Sequence, residues 1–308
     1  MKHLLSINDM TIDEINQVFD WSEKLKKYVK EGTEHHLLKG KTLGMIFSKS
    51  STRTRVSFET GMFQLGGHPL FLSSHDIQIG RGESVYDTAK VLSRYIDGIM
   101  IRTFKQSDVE QLAEYGTIPV INGLTDLLHP CQILTDLFTV MEHKGDLRNL
   151  KLAYVGDGNN IANSLLYGCS KIGMSLSIAT PKGYECDETV IKNSLENAKK
   201  SGAMIELLND PVKAVEKADV VYTDTWVSMG QEDEKAKRIE FFKDYQVNEE
   251  LWVHAQKDAM FLHCLPAYRG YEVTREIIDG PMSYVFDQAE NRLHVQKAIM
   301  VMLMKDAN

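Results

Sequence analysis

The residues of this sequence best suited to chemistry are a serine, two threonines and two arginines at consecutive positions 51–55. An apolar run at 43–47 precedes them and apolar residues at helical spacing follow, so the stretch is predicted to join a strand to a helix. The start of a helix offers unpaired N–H groups and a partial positive charge, and a guanidinium binds two phosphate oxygens at once. We therefore predict that this junction binds a phosphate-like anion. The alternative is an N-cap serine followed by solvated arginines.

Further polar residues follow other predicted strands of the first half. Arg102 ends one of these strands, and a His-Pro-Cys-Gln sequence at 129–132 follows the next. Strands and helices alternate throughout, which predicts parallel sheets covered by helices, with ligand sites at the carboxyl ends of the strands. These residues are therefore expected at the same edge of a sheet as the stretch at 51–55.

A second alternating series begins near residue 151, and two of its loops could bind a substrate. Residues 156–161 follow a strand and open a helix, as a dinucleotide-binding loop does, but Ile161 occupies the position of that motif's third glycine. An amide anchor for a small substrate, or simple turn chemistry, is a better interpretation. The other loop begins at Asp224 and has no Arg or Lys before Lys235, so as a site it suits an amine. Its alternative is an ordinary exposed loop between strand and helix.

Histidines and cysteines at predicted strand ends raise the question of a metal. His129, Cys131, His263 and Cys264 all stand at such ends. Their spacings, H-x-C and H-C, are not those of closed zinc sites, so we predict that no metal is bound.

The elements that must position these residues form two domains. A chain of 308 residues exceeds the usual size of one domain. We predict an α/β protein with two doubly wound parallel-sheet domains, 1–145 and 146–287, whose closing helix at 288–308 packs back on the N-terminal domain. Ser84 is a predicted N-cap, and Ser107 with Glu110 is a predicted capping box.

Composition limits the partners and the compartment. The net charge of −8 argues against a nucleic-acid partner, which usually requires a basic face. The four cysteines form no C-x-x-C pair or framework, which favours a reducing, cytoplasmic setting. No signal sequence is expected in the first ten residues, and the longest apolar run, 298–304, is far shorter than a membrane span.

Taken together, these stretches resemble the aspartate/ornithine carbamoyltransferase family along nearly the whole chain. Residues 51–55 are similar to its carbamoyl-phosphate loop and residues 129–132 to its second signature. Asp224 with Ser-Met-Gly at 228–230, and His-Cys-Leu-Pro at 263–266, resemble the motifs of ornithine-specific members.

The resemblance implies transfer of the carbamoyl group of carbamoyl phosphate to the side-chain amine of L-ornithine, giving L-citrulline and phosphate without metal or organic cofactor. The first domain would bind carbamoyl phosphate and the second ornithine. The implied catalytic residues are Arg102, His129 and Cys264. The implied carbamoyl-phosphate contacts are Ser51, Thr52, Arg53, Thr54, Gln78, Arg102, His129, Pro130, Cys131, Gln132, Cys264, Leu265 and Arg292, and the implied ornithine contacts are Asn160, Asp224, Ser228 and Met229.

The resemblance also implies roles for individual groups. Thr54, Arg102 and His129 would meet the carbonyl oxygen, and Gln132 would hold the carbamoyl amino group. Gln78 and residues 80–83 resemble a loop that reaches a neighbouring subunit's active site in this family, which implies a homotrimer or a multiple of trimers with shared sites.

Two rival functions and one rival mechanism remain at this point. The acceptor could be putrescine or a modified ornithine, or the protein could be a non-catalytic phosphate-binding module. Cys264 could act as a covalent nucleophile, but direct attack needs no covalent intermediate and the sequence indicates no base beside this cysteine.

Overall fold

Parallel strands form two separate sheets in residues 1–74, 77, 82–227 and 232–305, which are the residues that the computed structural model describes. The chain divides into unit 1, Met1–Phe138 with Glu290–Asn308, and unit 2, Thr139–Ala289. Each unit contains one of the sheets. The predicted fold class, two α/β domains with parallel sheets, is confirmed.

Unit 1 contains strands β1 (Thr42–Phe47), β2 (His68–Ser73), β3 (Gly98–Arg102) and β4 (Val120–Leu124), and helices α1 (Ile12–Lys30), α2 (Thr52–Gln64), α3 (Val85–Tyr95), α4 (Gln106–Tyr115) and α5 (Pro130–Lys144) begin in it. The strand order is β2-β1-β3-β4, and all neighbours are parallel. The chain leaves β1 towards one side for β2 and returns to the other side for β3. The order therefore reverses between β1 and β3, and the loops that follow these strands form a crevice suited to a ligand.

Unit 2 contains strands β5 (Lys151–Val155), β6 (Ser175–Ala179), β7 (Ile205–Leu208), β8 (Val220–Thr223) and β9 (Met260–Leu262), and helices α6 (Asn160–Ile172), α7 (Glu188–Ser201), α8 (Pro211–Val215), α9 (Lys235–Phe242), α10 (Glu249–Trp252), α11 (Arg275–Ile278) and α12 (Val285–Met304) begin in it. The strand order β7-β6-β5-β8-β9 is again parallel throughout. Here the order reverses between β5 and β8. The loops after β5 and β8 are therefore the expected ligand-binding loops of this unit.

The core strands are buried because they are apolar on both faces, as parallel strands covered by helices must be. Every residue of β3, β4, β8 and β9 is buried. Short 3-10 turns at Ile7–Asp9, Leu147–Asn149, Glu232–Glu234 and Lys243–Tyr245 complete the described elements. Among the described residues, no helix combines the length and the apolar content that crossing a bilayer requires.

Two predicted helix starts had different outcomes. Ser84 caps α3 as predicted, because its side chain accepts the Asp87 backbone N–H at 3.0 Å. The capping box at Ser107 is wrong: α4 begins at Gln106 and has no side-chain cap. The Gln106 side chain accepts a hydrogen bond from Thr125 Oγ1 at 2.9 Å, and this tertiary contact holds the first turn in place of a cap.

The closing helix starts earlier than predicted, at Val285 instead of 288, and its residues from Glu290 onward belong to unit 1. The division between the units falls between Phe138 and Thr139, inside α5, whereas the sequence placed a boundary after residue 145. An uninterrupted helix across the division leaves no linker-like signal in the sequence.

Candidate active site

The start of α2, just after β1, is built by Ser51 and Thr54. Ser51 is the N-cap: its Oγ accepts the Thr54 backbone N–H at 3.2 Å and donates to Thr54 Oγ1 at 3.0 Å. Thr54 is buried, so this cap fixes its hydroxyl next to the open N–H groups of the first turn. The sequence-predicted anion site therefore has the geometry of a capped helix start.

Arg292 connects this helix start to α5. Its Nη1 donates to Gln132 Oε1 at 2.7 Å and its Nη2 donates to Thr54 Oγ1 at 2.8 Å, and the side chain is buried. Because Thr54 Oγ1 accepts hydrogen bonds from both Ser51 and Arg292, the remaining capacity of this hydroxyl is to donate its own hydrogen. One guanidinium thus brings together three residues that lie far apart in the sequence.

Arg102 and His129 are both buried, Arg102 as the last residue of β3 and His129 in the loop between β4 and α5. Arg102 ends β3, where its carbonyl accepts the Ser48 N–H at 2.8 Å, so it lies beside the loop after β1. His129 immediately precedes α5, and its carbonyl accepts the Gln132 N–H at 3.2 Å. Burial first, and then the charges of Arg292 and Arg102, lower the pKa of His129 well below its usual value. His129 is therefore a neutral imidazole at neutral pH.

The two arginines of the 51–55 stretch have different surroundings. Arg55 donates to Glu59 at 2.9 Å and lies over the Phe71 ring at 3.7 Å, which gives it a structural role on the helix surface. Arg53 is only partly exposed, and its Nε is buried without a hydrogen-bond partner among the described residues. Arg53 is therefore the guanidinium with capacity left for a ligand. Thr52, the first residue of α2, is exposed.

Pro130 and Cys131 open α5. Proline suits a first helical position because its missing N–H would have no helical partner there. The Cys131 thiol donates to the Asn122 carbonyl at 3.4 Å, and burial raises its pKa to about 12. A neutral thiol bonded to β4 belongs to the core, so a ligand contact by Cys131 would have to use its backbone.

In unit 2, Asp224 receives hydrogen bonds from the loops after two other strands. Its Oδ2 accepts Asn159 Nδ2 at 2.8 Å, and its Oδ1 accepts the Cys264 thiol at 3.1 Å. Asp224 follows β8 and Asn159 follows β5, so the contact lies where the strand order reverses. Asn160 is the first residue of α6 and is partly exposed next to this pair.

Asn159 was missed from sequence, where the neighbouring amide of Asn160 was singled out. Asn159 is the N-cap of α6: its Oδ1 accepts the Ile161 and Ala162 N–H groups at 2.9 and 3.3 Å. With its oxygen held by the helix, its amide nitrogen faces Asp224. The strong preference of Asn for N-cap positions is the signal that could have identified it.

The contact between Cys264 and Asp224 corrects one expectation. The sequence indicated no base beside Cys264, whereas the structure places a carboxylate 3.1 Å from its sulfur. A thiolate there would be repelled by the neighbouring carboxylate, so the arrangement favours a neutral thiol that donates a hydrogen bond.

The loop after β9 holds a strained residue. Leu265 has φ +57°, in the left-handed region that costs a non-glycine residue roughly 1–2 kcal/mol. Its N–H donates to His263 Nδ1 at 2.9 Å, and the His263 N–H donates to Gln288 Oε1 at 3.0 Å. Buried Glu272 lies 3.3 Å from His263 Nε2. A strained backbone conformation that several neighbouring contacts hold in place is typical of functional loops.

Asp224, His263 and Cys264 have possible metal-ligand atoms within 4.8 Å of one another. Both nitrogens of His263 face other partners, Nδ1 the Leu265 N–H and Nε2 the Glu272 carboxylate. A metal would have to displace one of these contacts. The three residues therefore fit a hydrogen-bonded site better than a metal site.

A buried ion pair braces the loop that begins at Asp224. Arg238 of α9 pairs with Asp157, the second residue after β5, and its Nε donates to the Trp226 carbonyl at 2.5 Å. Burial raises the pKa of Asp157 to about 6, against the opposing effect of the Arg238 charge. The loops after β5 and β8 are thus tied together at two points, Arg238 and Asn159.

Three of the predicted binding residues, Gln78, Ser228 and Met229, lie outside the described residues, so their roles stay predictions.

Comparisons with known proteins identify two family domains along this chain. Residues 2–142 match the family model described as aspartate/ornithine carbamoyltransferase, carbamoyl-P binding domain, and residues 148–303 match its Asp/Orn binding domain. A relative from Caldicellulosiruptor saccharolyticus, named ornithine carbamoyltransferase, is 59% identical over 98% of both chains. One from Pyrococcus furiosus, named anabolic ornithine carbamoyltransferase, is 54% identical over 98% of this chain and 96% of its own.

Solved structures give the same result. The ornithine carbamoyltransferase from Pyrococcus furiosus superposes with a TM-score of 0.97 at 54% identity, covering 100% of this chain and 98% of that one. Ornithine transcarbamoylase from Giardia lamblia gives 0.89 at 32% identity, covering 100% and 99%. With both family models matched in order and relatives aligned over almost their full length, this chain belongs to the aspartate/ornithine carbamoyltransferase family.

Proposed function

We propose that this protein transfers the carbamoyl group of carbamoyl phosphate to the side-chain amine of L-ornithine, releasing L-citrulline and phosphate. The observation that carries the proposal is the buried Arg292 guanidinium, which joins the helix-start hydroxyl of Thr54 to the amide of Gln132. Anion-binding and amide-recognising groups thereby meet at one point of unit 1, as a ligand with a phosphate next to a carbamoyl group requires. The relatives named ornithine carbamoyltransferase support the choice of acceptor.

The phosphate would lie on the start of α2, bound by Ser51, Thr52, Arg53 and Thr54 with help from Arg102. The helix-start N–H groups, the helix dipole and the guanidiniums all favour a doubly charged anion. Pro130 and Cys131 would contribute only as the first residues of α5, by shape and backbone.

The carbonyl oxygen gains negative charge when the amine attacks. Thr54, Arg102, His129 and Arg292 would stabilise it with fixed donors, which accelerate a reaction most where charge appears only in the transition state. Neutral His129 can donate one ring N–H to this oxygen and needs no proton from solvent to do so. Deleting one donor of this kind typically costs about 3 kcal/mol, or roughly a hundredfold in rate.

Ornithine would be held in unit 2 by its amino-acid end. Asp224, whose carboxylate is fixed by Asn159 and Cys264, suits the α-amine, and Asn160, Ser228 and Met229 would complete the subsite. Cys264 and Leu265 would face the reacting amine. This amine has a solution pKa of about 10.4 and attacks only as the free base, so the site must favour its neutral form.

The assembly, compartment and pathway are also proposed. We infer a homotrimer or a multiple of trimers from the resemblance of the Gln78 region. Four free cysteines support a reducing compartment, the cytoplasm. The anabolic name of a relative with 54% identity supports a role in arginine biosynthesis, and no cofactor, nucleic acid or membrane is required by this chemistry.

A citrulline colour assay with carbamoyl phosphate and, in separate tubes, L-ornithine, L-aspartate, putrescine and N-acetylornithine tests the function. We expect product with ornithine alone. Product with putrescine or N-acetylornithine instead would keep the phosphate site and overturn the acceptor. No product in any tube, from folded protein, would favour a non-catalytic phosphate-binding module. In that case Arg53→Ala would lower phosphate affinity without any turnover to lose.

A further inference from the structure

The side-chain amide of Gln132 is hydrogen-bonded to a carboxylate through its nitrogen and to a guanidinium through its oxygen. Its Nε2 donates to Asp136 Oδ1 at 2.7 Å, one helical turn further along α5, and its Oε1 accepts Arg292 Nη1 at 2.7 Å. Gln132 and Asp136 are 1% and 0% exposed. Through this contact Asp136 acts on Gln132.

These contacts fix which end of the amide faces which way. A guanidinium carries only donors, so the Gln132 atom that meets Arg292 must be the oxygen, and the NH₂ group must then face Asp136. The carboxylate accepts a hydrogen of that NH₂ group. If the amide turned around, its NH₂ group would face the guanidinium and its oxygen would face the carboxylate, so both hydrogen bonds would be lost. The orientation follows from the chemistry of the neighbours and does not depend on how the two amide ends are assigned.

The oxygen of the fixed amide lies towards the anion-binding end of the site. The same guanidinium that binds Gln132 Oε1 binds Thr54 Oγ1 with its other terminal nitrogen at 2.8 Å. Gln132 Oε1 and Thr54 Oγ1 are therefore bound by the same guanidinium. An amide oxygen has two lone pairs, and Arg292 uses one of them, so the second can accept an N–H from a ligand.

We propose that Asp136 is a positioning residue that makes this site select carbamoyl over acyl phosphates. By holding the Gln132 NH₂ group away, it presents an acceptor that a carbamoyl NH₂ satisfies and a methyl group does not. This inference rests on the proposed function. Acetyl phosphate is the matched probe, because it keeps the phosphate, the anhydride and the carbonyl and replaces only NH₂ by CH₃.

A fixed acceptor in the site should discriminate between carbamoyl phosphate and acetyl phosphate. A buried acceptor left without its donor is costly, which is why sites built to hydrogen-bond a ligand group reject analogues that lack it. A looser Gln132 amide would bind the carbamoyl NH₂ less well and would leave acetyl phosphate almost unaffected.

The test compares Asp136→Leu with the wild type by two constants, the KM for carbamoyl phosphate and the inhibition constant of acetyl phosphate against it. We expect the KM to rise about tenfold while the inhibition constant changes less than about twofold. Asp136→Asn retains an oxygen that can accept from Gln132, so it should restore most of the lost selectivity. A general loosening of α5 would weaken both ligands by the same factor, and that result would overturn the proposal.

A matched control is Thr135→Val, which removes a buried hydrogen bond of the same helix, from Thr135 Oγ1 to the Cys131 carbonyl at 2.7 Å. Its ratio of the two constants should equal that of the wild type. An altered ratio in this control would mean that any damage to α5 shifts selectivity, against a specific role for Asp136.

Exchanging the amide and the carboxylate between positions 132 and 136 provides a second test, which does not depend on whether Asp136→Leu folds. Gln132→Glu alone places two carboxylates in contact and should bind carbamoyl phosphate poorly. Adding Asp136→Asn gives the new glutamate an NH₂ partner and should recover binding, whereas no recovery would contradict the positioning role. Citrulline formation by the wild type in the same assay is required first, and its absence would reject the proposed function itself.

Discussion

Cys264 is the residue whose role the structure changes most. Its thiol donates to Asp224, a carboxylate that is also held by Asn159, so the cysteine is part of a fixed hydrogen-bonded group. A serine can make the same donor contact with a shorter, harder atom. The arrangement thus favours a cysteine that orients groups over one that forms a covalent bond.

We expect Cys264→Ser to lower the turnover of ornithine without abolishing it, because the donor to Asp224 is retained while packing around the sulfur is lost. The kcat and the KM for ornithine measure this effect. A second measurement, the intact mass of wild-type protein quenched after incubation with carbamoyl phosphate alone, should show no carbamoyl adduct. An adduct on Cys264 would establish the covalent mechanism instead.

The residues that sequence reasoning reached and those it missed differ in a physical way. Ser51, Arg102, His129 and Asp224 were found because each ends a strand or lies in the loop that follows one, where a parallel sheet places its ligands. Asn159 bonds Asp224, 65 positions away in the sequence, and no local pattern shows that partner. Asp136 stands four residues after Gln132, a helical spacing shared by many polar residues, and only the structure shows that these two side chains are bonded.

The closing helix α12 contributes a buried lysine as well as the site arginine. Lys297 Nζ donates to Gln64 Oε1 at 2.9 Å and lies 3.1 Å from His35 Nε2. His35 Nδ1 faces the Thr33 carbonyl at 2.8 Å, so Nε2 is the acceptor and the imidazole is neutral. Lys297 thereby joins α12 to the segment between α1 and β1, which contains His35. Its charged amine is buried in making this contact.

This cost should appear as a pH dependence of stability. Burial lowers the pKa of Lys297 from 10.5 to about 8, so between these values the unfolded chain holds a proton that the folded chain has released. Stability then rises with pH across that window, and below pH 8 the full cost of the buried charge applies. Relative to Lys297→Met, we expect the wild-type free energy of unfolding to gain about 1–2 kcal/mol between pH 8 and pH 10.

Urea titrations at pH 7, 8, 9 and 10 measure this difference. Lys27→Met is the control, because the Lys27 side chain is 70% exposed and its removal should leave the pH profile parallel to that of the wild type. Parallel profiles for Lys297→Met as well would mean that the buried amine keeps its proton throughout.

The sequence indicates the presence of a strand or helix better than the residue at which it begins or ends. Strand β9, Met260–Leu262, is a short apolar run between polar loops, a pattern that has only one interpretation in an alternating chain. Helix ends were less secure: α4 begins at Gln106, whose side chain makes a tertiary contact, and α12 begins at Val285, three residues before the predicted start. Contacts between distant residues decide such ends, and local propensity cannot supply them.

At the scale of the whole molecule, the same topological rule accounts for the candidate binding loops of each unit. Each sheet reverses its strand order once along its middle, between β1 and β3 and between β5 and β8. The residues proposed to bind phosphate follow β1 and end β3. Asp224 follows β8, and its partner Asn159 follows β5. Duplicating one kind of crevice lets a chain bind two small substrates, and the closing helix returns Arg292 to unit 1 to complete the first of them.

If sites are shared between subunits, two defective chains should repair each other. Arg53→Ala would damage the phosphate loop, and Gln78→Ala would damage the loop proposed to reach a neighbour. After joint dissociation and reassembly, sites that combine an intact phosphate loop from one chain with an intact Gln78 from another should restore turnover, to about a quarter of wild type for random mixing.

The control pair is Arg53→Ala with His129→Ala, both in unit 1 and both proposed to act on the same bound ligand. No mixture of these two chains makes an intact site in which one chain supplies both residues, so turnover should stay at the level of the separate variants. Recovery with the first pair and not with the second would establish that one active site combines residues of two subunits. If neither pair recovers while reassembled wild type does, each site is built by a single chain, and the reason for proposing a trimer is lost.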